Sequence, residues 1–104
     1  MKNIKRYACN RLYVGEKVLL QSVVEINDKG WVECYMPLTQ ETPATEWIGG
    51  VIILSGNQEL PLPSDFKSIL QESVDEEKPM YAWHISNFDF QKEALTSASI
   101  IRRL

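Results

Sequence analysis

Three side chains are the natural candidates for nucleophilic, acid–base or metal chemistry: the single histidine, His84, and the two cysteines, Cys9 and Cys34. A Cys–His pair would need one of these thiols brought to His84 in space. Neither cysteine opens a helix or stands in a cationic run that would favour the thiolate. Both lie in apolar, strand-like surroundings, so they are expected to be buried free thiols. They form no CxxC pair and no dense disulfide framework. A histidine metal site would need further ligands, and the cysteines are distant from His84 in sequence. His84 is therefore expected on the polar face of a strand, bonded to a neighbour or to water. The densest carboxylates, Asp75-Glu76-Glu77, precede Pro79 and read as a solvated run. Gly49-Gly50 and Gly56 make neither a GxGxxG fingerprint nor a P-loop. No metal and no cofactor is expected.

The elements that must position these groups are mostly strands. Tyr7–Val14 suits a first strand, and Gly15-Glu16-Lys17 a turn. In Val18–Ile26, strict alternation places Val18, Leu20, Ser22, Val24 and Ile26 on one face. Asn27-Asp28-Lys29-Gly30 predicts a type I turn closed by a left-handed Gly bulge. Trp31–Leu38 then returns as the partner strand, with Val32, Cys34 and Met36 on one side and Trp31, Glu33 and Tyr35 on the other. Pro37 and Pro43 bracket a polar loop, Thr39–Thr45. Gly49-Gly50 introduces a short buried strand, Val51–Leu54.

Ser64-Asp65 carries a capping hydroxyl and a first-turn acid, and Phe66, Ile69, Leu70 and Val74 follow at helical spacing. One helix is expected near residues 64–74. Met80–Ser86 alternates, with Tyr81, Trp83 and Ile85 opposite Ala82, His84 and Ser86. Asn87–Leu95 fits either a loop or a helical turn or two, and Ser97–Leu104 a last strand. The expected fold is mainly β with about six strands and one helix, with α+β as the alternative. At 104 residues the chain is expected to be a single β-rich domain, 1–104.

Hydrophobic residues make up 44% and charged residues 24%, an ordinary globular balance. A formal charge of −3 opposes binding to a nucleic-acid backbone. Basic residues gather at the two ends, as Lys2, Lys5 and Arg6, and as Arg102 and Arg103, and would form one spot if the ends met. Met1–Tyr7 is polar and basic with no apolar run behind it. Val51–Leu54 is far too short to cross a bilayer. The expectation is a cytoplasmic chain that binds neither nucleic acid nor membrane. Trp31, Tyr35, Trp47, Tyr81 and Trp83 are either core or, where exposed, a protein interface.

Tyr7–Leu54 resembles the small β-sandwich, or composite, domain that precedes the metal-binding barrel of metal-dependent amidohydrolases. The residues that carry the resemblance are Val24-Glu25-Ile26-Asn27-Asp28-Lys29-Gly30-Trp31-Val32, a strand and hairpin turn, and Gly49-Gly50-Val51-Ile52, a Gly followed by an apolar run. In active members that Gly leads into the first barrel strand and a His-x-His metal pair. Position by position, the pair would fall at Ser55 and Asn57, and neither is histidine. The roughly fifty residues that follow are too few for a barrel. The resemblance covers about half of the chain. It implies the fold and argues against the family's hydrolysis.

The expected role is a non-catalytic domain acting in protein interaction or self-association, as a homodimer or with an unidentified protein partner. Trp31, Trp47, Trp83 and His84 are its candidate interface or ligand residues. The alternative is a small enzyme or small-ligand binder using His84 with a cysteine or Asp89.

Overall fold

A computed structural model describes residues 4–15, 17–39, 44–56 and 79–104. These residues form seven strands: β1 (Lys5–Val14), β2 (Lys17–Ile26), β3 (Val32–Pro37), β4 (Thr45–Trp47), β5 (Val51–Ser55), β6 (Tyr81–Ser86) and β7 (Ile100–Arg103). All seven belong to one sheet of order β3-β2-β1-β5-β6-β7, with β4 also on β1. The protein is thus mainly β, as expected, but the described strands share one hydrogen-bonded sheet rather than the two of a sandwich. The helix expected near residues 64–74 lies outside the described residues.

Pairing is antiparallel except where β4 and β5 run parallel to β1. The sheet curls until the Val32 N–H of β3 donates to the Met80 carbonyl just before β6, at 2.8 Å. Inside the curl lies the larger core: Cys9, Leu12, Val24, Ile26, Ile52, Leu54, Met80 and Ala82. On the outer face a smaller cluster gathers Tyr13, Val51, Ile53, Ile85 and Phe88, with Phe90 and Leu95 packed on it. β5 has apolar residues on both faces and is buried throughout, which explains why it reads as a continuous apolar run.

The segment after β6 is a loop. Asp89 and Ala94 exchange backbone hydrogen bonds, and Asp89 Oδ1 accepts from the N–H groups of Gln91 and Lys92. These contacts turn Phe88 and Phe90 onto the outer cluster, edge to face at 5.4 Å. The Thr96 and Ser99 hydroxyls both donate to the Asn87 carbonyl, and Ser99 N–H bonds back to Thr96 O. That knot delays β7 to Ile100, three residues later than the sequence pattern predicts.

The β2–β3 turn forms as expected. Gly30 has φ +82°, and Asn27 Oδ1 accepts from both Lys29 and Trp31. The faces of β3 do not. Glu25 pairs with Cys34 but Ile26 pairs with Val32, so Glu33 is an extra residue. The bulge puts Val32 and Tyr35 together against the inner core and turns Cys34 outward. Cys34 is free, as expected, but exposed rather than buried.

The faces of β2 also depart from strict alternation. Leu19 and Val24 both pack on the inner core, which unbroken alternation forbids, and Gln21 between them has φ +43°. The reversal turns Val18 and Leu20 off the core face, leaving them 42% and 70% exposed.

Candidate functional site

The break at Gln21 is one point on a line that crosses the sheet. In the β1–β2 register Gln21 falls opposite Asn10. The N–H groups of Asn10 and Arg11 both donate to the Gly50 carbonyl, at 3.1 and 3.3 Å, the pattern of a bulge. β1 switches faces here as well, from Tyr7 and Cys9 to Leu12 and Val14. On the adjoining strand, Ala8 pairs with Trp47 and Arg11 with Val51, so three steps along β1 match four along β4–β5. Gly49 and Gly50, at φ +65° and +64°, absorb the extra residue.

Two side chains fasten this seam. Asn10 Oδ1 accepts from the Gly50 N–H at 2.8 Å, and His84 Nε2 lies 3.1 Å from the Gly49 carbonyl. A carbonyl only accepts, so the neutral ring carries its proton on Nε2. Gly50 is pressed against β6: a Cβ there would stand 2.5 Å from the Ile85 carbonyl oxygen and 3.1 Å from His84 Nε2. The Ala8 carbonyl accepts from both Ile48 and Gly49, which completes the backbone bonding on the β1 side.

His84 is 8% exposed and pairs with Ile52 on β5 and Arg102 on β7. Burial lowers its pKa below 6.5; the Gly49 bond partly offsets this, and the Arg102 cation lowers it further. Among the described residues the ring makes no ion pair and no hydrogen bond to a thiol or carboxylate. No group of three His, Cys, Asp or Glu side chains is placed to hold a metal among these residues. Ser55, the first position of the histidine pair implied by the resemblance, ends β5 and is buried; Asn57 lies outside the described residues.

The cysteines stand apart in function as in position. Cys9 is fully buried, with its S–H directed at the carbonyls of Arg11 and Ser22; burial pushes its pKa up to about 11. Cys34 donates to Glu25 Oε2 at 3.1 Å, while Arg6 Nε holds Oε1 of the same carboxylate at 2.7 Å. Desolvation of the sulfur, then the Glu25 charge, push the Cys34 thiol to about 11 as well. Arg6, and after it Cys34, hold the Glu25 carboxyl below its ordinary value. Both cysteines are thus thiols at neutral pH, poorly suited to attack.

The three tryptophans do not form one patch. Trp31 sits in the hairpin turn beneath the Lys29 ammonium, 4.8 Å from its ring centre. Trp47 pairs with Ala8 and is 53% exposed, beside the seam. Trp83 lies across β6 from His84 and pairs with Ile53 and Arg103. Sequence reasoning missed Asn10 and Gln21. A lone Asn within an apolar strand was the available signal, and its meaning depends on a partner forty residues away.

Of the basic ends, Lys5 and Arg6 do not meet Arg102 and Arg103, and Lys2 lies outside the described residues. Arg103 is level with Trp83, Ile53 and Tyr13, at the far end of β1 from Lys5 and Arg6. No described helix is long and apolar enough to cross a membrane. Comparison with protein-family models, curated proteins and solved structures gives no match to this chain.

Proposed function

We propose that this chain is a non-catalytic interaction domain, similar to an amidohydrolase composite domain without its barrel, that associates with itself or with a protein partner through the outer face of its sheet. The observation that carries this reading is the set of large apolar side chains left on that face. Val18 and Leu20 are exposed there beside Tyr13, and Arg11, the register partner of Leu20, caps the Phe90 ring at 5.0 Å. Trp47 adds an exposed aromatic on the other side of the seam. Apolar surface grouped this way is a feature of protein interfaces.

The edges favour a face over strand addition. β3 carries a bulge at Glu33 and ends in Pro37; β7 is four residues long with Arg102 and Arg103. Bulges, proline, charge and shortness all oppose edge-to-edge pairing. The histidine-based alternative draws no such support, because the one side-chain hydrogen bond of His84 among the described residues goes to a backbone carbonyl within the fold.

Sedimentation of the purified chain, alone and with affinity-captured partners, tests the proposal. The expected result is a dimer or a defined complex that Leu20→Asp weakens while leaving the circular dichroism spectrum unchanged. A strict monomer that captures no partner, with Leu20→Asp indistinguishable from wild type, overturns it.

A further inference from the structure

We propose that His84 is a proton-operated latch on the seam: a proton on its ring releases the Ile48–Gly50 segment from β1 and β6 before the rest of the sheet opens. The geometry isolates this segment. β4 is three residues long, and Gly49 and Gly50 interrupt the strand immediately after it. The segment is held by Ala8, Asn10 and Arg11 on one side and by the His84–Gly49 bond on the other. Gly50 passes close to both Ile85 O and the ring, since a Cβ on it would stand 2.5 Å from the one and 3.1 Å from His84 Nε2.

The surroundings of the ring suit the neutral form. β5 sets Ile52 beside it, and β1 sends Asn10 to the same glycine turn; neither titrates. β7 contributes Arg102, the charged group facing it among the described residues. A proton arriving at Nδ1 strengthens the bond to Gly49 O but places a cation in a buried position next to a second cation. The balance favours the neutral ring, as the lowered pKa indicates. Opening the glycine segment lets water reach the ring while the longer β1–β2 and β5–β6 ladders stay paired, and it takes Ile48 off the inner core.

The sign follows from linkage. His84 binds a proton less readily when the segment is closed than when the ring is solvated. Closure is therefore fully favoured above about pH 6.5 and weakens as pH falls below it, down to the closed-state pKa, where the dependence levels off. One proton limits the change to about tenfold in the opening constant per pH unit.

Amide hydrogen exchange read residue by residue between pH 7.5 and 5, corrected for intrinsic rates, tests the latch. Opening at Ile48, Gly49 and Gly50 is expected to rise several-fold as pH falls, by no more than the one-proton limit, while Val23 and Val24 stay level. His84→Gln is expected to remove the difference. Seam and ladder amides that change in parallel, or a pH response that survives in His84→Gln, overturn the proposal. Should that variant fail to fold, a wild-type NMR titration decides: the seam amides must share the midpoint of the His84 ring, below 6.5, and a different midpoint overturns the latch.

Discussion

Gly30 and Gly50 hold similar left-handed backbones, at φ +82° and +64°, in very different surroundings. The hairpin turn at Gly30 is bonded by residues of its own segment, and a Cβ on Gly30 would meet nothing within 4 Å. The seam at Gly50 is bonded by Asn10 on β1, a strand forty residues away in sequence, and a Cβ on Gly50 would strike the Ile85 carbonyl. One needs glycine for its φ alone; the other needs it for φ and for space.

Alanine at each position separates the two requirements. Gly50→Ala combines left-handed strain with a backbone clash and is expected to cost about 3 kcal/mol or more, read by urea denaturation. Gly30→Ala carries the strain alone, at about 1–2 kcal/mol. Equal losses at the two sites would show that β6 yields to a methyl group and that the seam is not tightly seated.

The same contrast explains what the sequence made legible. Asn27, Gly30 and their neighbours encode the turn within five residues, so turn chemistry predicts it correctly. The alternation of β6 is also regular, but the side read as polar is the inner one: His84 shares it with Met80 and Ala82, pairs with Ile52 and is buried. Reversals at Gln21, Asn10 and Glu33 are not local. Asn10 and Glu33 stand where a strand meets a partner whose step count differs by one, Gln21 reverses opposite Asn10 in an unbroken register, and no property of Gln21 or Glu33 announces it. Strict alternation therefore grouped Val18 and Leu20 with Val24 and Ile26, and the usual burial of free cysteines was expected of Cys34; the structure turns all three outward. Gly49-Gly50 was visible as a sharp turn or close approach; that Asn10 and His84 fasten it was not.

The Asn10 contact supplies a finer probe of the seam. Asn10→Ala removes the acceptor for the Gly50 N–H, and a lost hydrogen bond at a partly exposed site is expected to cost about 1 kcal/mol. Thermal denaturation should register a fall of roughly 4–8 °C. Asn10→Asp retains an acceptor oxygen at the same place and is expected to hold most of that stability. If alanine were as stable as aspartate, the bond would have no part in fixing the seam.

The smallest expected effect concerns reactivity, and it compares the two cysteines. In native protein, iodoacetamide should modify Cys34 and spare Cys9, because one is exposed and the other is sealed in the core. Modification of Cys34 should still be slow at pH 8, since its thiol is held near 11. Glu25→Gln removes the negative charge beside the sulfur and leaves Arg6 close by, so the thiolate fraction rises. Burial remains, and a less basic thiolate is also a weaker nucleophile, so the gain is expected at about three- to tenfold. The rate followed by mass spectrometry checks this, with urea-unfolded protein as the reference in which both cysteines react. Native labelling of Cys9 at the rate of Cys34 would mean that the β1–β2 core opens as readily as the hairpin surface. An unchanged Cys34 rate in Glu25→Gln would leave desolvation as the whole cause of its inertness, with the carboxylate serving only to hold Arg6.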